Sequence, residues 1–189
     1  MNLLAIETST ELCSAALLRG DDLFVEEAHA PNQHAERLEP MVRRLLARGG
    51  LAVAKLDALA FGQGPGSFTG IRIGISTALG LAQARGLPVV GASTLDTLAL
   101  GMGDAGHGDA VLVPLIDARR NEGFTAAYRR TDDGVTCVAQ ARALPVAEAA
   151  AKAATGTDGQ PPLDAVIGLL RETATHACAI VGLAPEFST

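Results

Sequence analysis

Short apolar runs open the chain: Leu3 to Ile6, Cys13 to Leu18 and Leu23 to Glu27, with Gly20-Asp21-Asp22 marking a turn between the second and third. They predict an antiparallel meander. From His34 to Arg48 the period changes, because Leu38, Met41, Val42, Leu45 and Leu46 recur at three- and four-residue steps before Gly49-Gly50. That spacing predicts an amphipathic helix, which Pro40 should bend by removing one backbone donor.

A buried strand, Ala58 to Phe61, a glycine-rich loop, Gly62 to Gly70, a helix from Ile71 to Arg85 and a strand from Val89 to Ala92 follow. Strand, helix and strand in alternation imply parallel pairing with a crossover helix. Ser93 and Asp96 resemble a capping box that starts a third helix ending near Leu100. Gly101 to Asp109 reads as a linker. Beyond it the order restarts with strands near Val111 to Ile116, Gly123 to Tyr128 and Val135 to Ala139, a helix near Val146 to Ala154, and a weaker element near Leu163 to Leu170. Both openings, LLAIETST and LVPLIDARR, run a buried strand into an acid, Glu7 or Asp117, and then a polar turn. The class is therefore α/β with a duplicated lobe, residues 1-105 and a shortened 106-189.

With 189 residues, 48% of them hydrophobic, the chain can bury a core. A net charge of -6 argues against holding RNA through its own surface, which would need a basic face to displace counterions. Cys13, Cys137 and Cys178 lack any CxxC spacing, so the pattern suggests neither a disulfide framework nor a thiolate zinc site and fits a reduced cytoplasm. The first residues read as a strand rather than a signal peptide, and the longest apolar helix is too short and too rich in Gly, Ser and Thr to span a bilayer.

Gly62 to Gly74, GQGPGSFTGIRIG, is the most informative segment. Glycines between a strand and a helix let backbone amides approach a phosphate at the helix start, but they also serve a bare tight turn, and physics alone leaves both readings standing. No lysine follows as a P-loop requires, and Thr69 stands where GxGxxG needs its third glycine. Glu7, Thr8 and Ser9 put an acid and two hydroxyls at a strand end, suited to a phosphate or a magnesium water, or to capping a hairpin. The candidate nucleotide or phosphate set is therefore Glu7, Thr8, Ser9, Gly64, Gly66, Ser67, Thr69 and Gly70. His29, His34, His107 and His176 form no HExxH, and no GxSxG elbow occurs. Gly70, Gly74, Ala78 and Ala82, four apart, form a flat stripe for close packing. Arg119, Arg120, Arg129 and Arg130 read as one basic cluster.

The segments LLAIETST, NQHAERLEPMV, GQGPGSFTGIRIG, GLPVVGASTLDTLA and PLIDARRNEGF, in that order over residues 1 to 130, resemble the TsaB (YeaZ) family. The resemblance implies an ASKHA fold, the actin-like, RNase H-like duplicated architecture, and a cytoplasmic role in tRNA threonylcarbamoyladenosine (t6A) synthesis. It implies pairing with the catalytic paralogue TsaD as a heterodimer, joined by the ATPase TsaE, a homodimer when alone, and contact with tRNA only through the complex. It implies no required cofactor, with ATP or ADP placed at the complex interface. The pairing surface carried over from the family lies on the two helices of the first lobe: Leu38, Met41, Val42 and Leu45, and Ile71, Ile75, Ala78 and Leu79. Where TsaD carries a metal-binding HxxxH, this chain places Thr94 and Leu98, so the resemblance implies a subunit that is not an enzyme. The chain ends APEFST rather than in the family's PxYLR-like segment, which implies a shortened second lobe. The rival readings are a metallopeptidase of the Gcp/M22 type, a small-molecule kinase, and a nucleotide-binding switch.

Overall fold

The computed structural model describes residues 1–102, 111–131 and 134–145. In the first unit, which among those residues holds 1–63 and 68–92, β1 (Asn2–Glu7), β2 (Leu12–Arg19) and β3 (Asp22–His29) form the meander that the three apolar runs predict. β2 pairs antiparallel with both neighbours, Leu4 opposite Leu17 on one side and Ala16 opposite Val25 on the other. α1 (His34–Arg48) leads to β4 (Ala58–Gly64), which pairs parallel to β1 with Leu4 beside Leu59. α2 (Phe68–Gln83) then returns the chain to β5 (Val89–Ser93). The sheet order is β3-β2-β1-β4-β5.

Period-two alternation sets what each face buries. Leu4, Ile6, Cys13, Leu17 and Leu59 form one core with Leu38, Met41, Val42, Leu45 and Leu46 of α1 and Ala78 and Ala82 of α2. Leu3, Ala16, Leu18, Ala58 and Ala60 alternate with these and are buried too, so β1, β2 and β4 read as nearly continuous apolar runs. α1 continues as one helix past Pro40, with Leu38, Met41, Val42, Leu45 and Leu46 of its inward stripe in this core.

The glycine-rich segment is shorter as a loop than its composition suggests. β4 continues to Gly64 and α2 begins at Phe68, leaving 65–67 between them. Helix and strand take the flanking glycines because close packing favours them there. A Cβ on Gly74 would come within 2.6 Å of the Thr8 hydroxyl, and Gly70, Gly74, Ala78 and Ala82 are the buried face of α2. The small-residue stripe is internal packing.

The second unit, in the described residues, contains 64–67, 93–102, 111–131 and 134–145. Its elements are α3 (Thr94–Gly101), β6 (Val111–Leu112), β7 (Leu115–Arg119), β8 (Glu122–Thr131) and β9 (Gly134–Pro145). β8 pairs antiparallel with β7 on one side and with β9 on the other, which repeats the β1-β2-β3 meander. The strand expected from Val111 to Ile116 is broken at Val113-Pro114, where proline has no ladder donor and the Thr125 hydroxyl instead donates to the Pro114 carbonyl at 2.8 Å. The boundary between units falls after Ala92 rather than after residue 105. α3 belongs with the second unit because Leu95 and Ala99 bury against Leu112, Ile116, Ala126 and Tyr128. The helix expected at 146–154 and the element at 163–170 lie outside the described residues.

Candidate docking face and strand-end corner

The two helices read as a pairing surface turn out to differ. Leu38, Met41, Val42 and Leu45 are at most 5% exposed and are spent inside this chain's own core, as is Ala78. Their apolar period marks the inward side of each helix, which periodicity alone cannot distinguish from an interface. Ile71 and Ile75 are half-buried, and Leu79 is 50% exposed. Phe68, within the expected Gly62–Gly70 loop, is instead the first residue of α2 and 69% exposed.

Phe68, Arg72, Ile75 and Leu79 lie four, three and four residues apart, so they share one outward face of α2. The Arg72 guanidinium sits 4.1 Å from the centre of the Phe68 ring. Stacking fixes the ring and the guanidinium together, which lowers the entropy a partner would have to remove. Beside that face a groove of about 450 Å³ runs between α1 and α2, lined by Ala35, Leu38 and Glu39 on one side and Phe68, Arg72 and Ile73 on the other. Glu39 is held by Arg43, four residues along α1. The face is thus apolar at its ends and charged in its middle.

At the end of β1, Glu7 accepts from the Ser9 amide at 2.5 Å. Its carboxylate lies on Gly62, where any Cβ would overlap it. The Thr8 hydroxyl, 1% exposed, donates to the Gly70 carbonyl at 2.8 Å and so ties β1 to the first turn of α2. Ser9 is equally buried. Thr8 and Gly70 are thus bonded to each other at this corner, and Thr69 is exposed on α2. Gly64, Gly66 and Ser67 group with the second unit, where Gly64 and Gly66 have φ of 90° and 156°. Gln63 covers Gly91 in the same manner as Glu7 covers Gly62, a pairing that no spacing in the sequence announces.

In the second unit Ser93 caps α3, its hydroxyl accepting from the Asp96 amide at 3.2 Å. Asp96 does not complete a capping box; its carboxylate accepts from the Tyr128 phenol at 2.6 Å. Burial, then this hydrogen bond and the Asp96 charge, push the Tyr128 phenol well above the usual tyrosine range. Thr94 is buried and Leu98 packs on the Leu95–Ala99 cluster, so the i and i+4 positions of α3 present a hydroxyl and a hydrocarbon. Among the described residues no three His, Cys, Asp or Glu side chains gather as a metal set. The four arginines do not cluster: Arg119 and Arg120 lie at the β7–β8 turn with φ of 69° and 52°, and Arg129 and Arg130 lie near the far end of β8. Arg130 donates to the Ala99 and Leu100 carbonyls at the end of α3. Among the described residues no helix is long and apolar enough to cross a membrane.

A five-stranded sheet of order β3-β2-β1-β4-β5, with a parallel pair beside a meander and a second meander after it, is a mixed α/β fold of the actin-like, RNase H-like class with a smaller second lobe. The profile of the family described as "TsaD: tRNA N6-adenosine threonylcarbamoyltransferase" matches residues 27–177, well past the residue-130 limit of the motifs. The chain belongs to this family, in its TsaB (YeaZ) branch. The tRNA threonylcarbamoyladenosine biosynthesis protein TsaB of Escherichia coli (strain K12) is 43% identical over 71% of this chain and 58% of its own length. TsaB of Haemophilus influenzae is 46% identical over 65% of this chain and 51% of its own. The solved structure of YeaZ from Pseudomonas aeruginosa superposes with a TM-score of 0.70 at 32% identity, over 98% of this chain and 80% of that one. The chain spans little more than half the length of these curated relatives.

Proposed function

We propose that this chain is a cytoplasmic, non-catalytic subunit of the tRNA threonylcarbamoyladenosine pathway that pairs with TsaD and helps recruit TsaE. The observation that carries the reading is the outward face of α2, with Phe68 and Leu79 exposed on a helix whose opposite face is fully used in the core. Large exposed apolar side chains in line on one helix favour protein contact over solvent. Family membership supports the pathway, since the relatives are named for t6A biosynthesis. Thr94 and Leu98 at the positions of the paralogue's histidines support a subunit without transfer chemistry of its own, because a leucine side chain offers no ligand atom.

In this reading ATP or ADP belongs to the assembled complex and tRNA is met only there. Two copies pair through the same α2 face when TsaD is absent. The test is co-purification with TsaD from the same source, followed by reconstituted tRNA modification with and without this chain. Modification at an unchanged rate without it would sink the reading.

A further inference from the structure

β3 ends the first sheet, and among the described residues no strand pairs with its outer edge. Gly20 donates its amide to the Met1 carbonyl at 2.9 Å, so even-numbered residues of β2 bond to β1 and odd-numbered ones to β3. By the register, Asp22, Phe24, Glu26 and Ala28 bond inward, and the amides and carbonyls of Leu23, Val25 and Glu27 turn outward. An eight-residue edge of this kind is a template for another strand.

One of those outward carbonyls is occupied. The Arg48 guanidinium, from the last turn of α1, donates to the Val25 carbonyl at 3.2 Å. Arg48 also lies 3.5 Å from Glu26, and Arg44 holds the same carboxylate at 2.7 Å and 2.8 Å. Glu26 is the most buried partner of the three, with its side chain 16% exposed. Arg19 fastens the same corner from the other side, donating to the Gly49 carbonyl at 2.6 Å.

We propose that Arg48, positioned by Glu26, whose carboxylate Arg44 also holds, closes the outer edge of β3 to strand addition by β3 of a second copy of this chain. The latch fills the middle of the edge, at Val25, where antiparallel self-pairing about a two-fold axis would place its central bonds.

The test uses Arg48→Met, which keeps the apolar stem and leaves the Arg44–Glu26 pair in place, on a Leu79→Asp background that removes the α2 face from play. Arg43→Met is the control, since it loses the same charge but reaches Glu39. Light scattering across concentration is expected to show self-association at least about tenfold stronger for Arg48→Met than for the control, a difference of ~1.4 kcal/mol. Amide exchange at Leu23, Val25 and Glu27 should slow with concentration, and adding Val25→Pro should abolish both effects. Arg48→Gln, whose side chain is shorter, is the second variant and should behave alike. Association equal to the control in folded Arg48→Met and Arg48→Gln, or association that survives Val25→Pro, would overturn the proposal.

Discussion

A single methyl group separates the corner of the first unit from a clash. Gly74→Ala would put a Cβ within 2.6 Å of the Thr8 hydroxyl, whose own bond to Gly70 leaves it little room to turn. The expected outcome is a loss of about 1–3 kcal/mol in denaturant unfolding, as for other overpacked sites. At the other end of the chain's chemistry, Tyr128 gives stability a pH dependence. Its phenol is held protonated in the fold and ionises near pH 10 when unfolded, so the unfolded state binds fewer protons above that pH. The contribution is fully present below about pH 10 and is lost as the pH rises further. Burial raises the Cys13 thiol and gives a slope of the same sign. Tyr128→Phe is therefore expected to make the alkaline limb shallower without flattening it, and to cost about 1 kcal/mol at neutral pH through the lost bond to Asp96. Thermal melts across pH would show either result.

At the scale of elements, α1 and α2 contrast in what their apolar residues do. Met41 is 2% exposed inside the core, so Met41→Asp buries an unpaired charge and is expected to unfold the chain, which circular dichroism reads directly. Leu79→Asp sits on a half-exposed position and should leave stability within about 0.5 kcal/mol. The same change should weaken binding to TsaD by at least about tenfold in calorimetry if α2 carries the interface. Equal affinity for the folded variant would remove α2 from the proposed surface. Only this second substitution tests pairing, because the first confounds it with folding.

For the whole molecule, the prediction is functional. Reconstitution with TsaD is expected to lose tRNA modification when this chain is omitted and to regain it when the chain is added back. Leu79→Asp should restore little of it. The isolated chain is expected to register no ATP or ADP in calorimetry, and a micromolar constant would move the reading toward a nucleotide switch. Two compact units bear on this scale as well, since α3 folds with the second meander and not with the lobe that carries α2.

Period and order along the chain were enough for most elements. Short apolar runs bounded by turn residues marked β1 to β5, the three- and four-residue steps marked α1, and the repeated acid after a buried strand announced the second meander, because these are properties of local geometry. The family was legible for a similar reason, since its motifs sit in ordered segments of the first lobe. What the sequence could not decide was which apolar residues face inward. Leu38 and Met41 look no different in spacing from a docking stripe, and only the sheet beneath α1 claims them. Nor could composition show that a glycine-rich run would split into strand end, short turn and helix start. That outcome depends on Glu7 resting on Gly62 and Thr8 on Gly74, contacts between residues more than fifty positions apart. Long-range packing made those choices, and it left Phe68 and Leu79 outside.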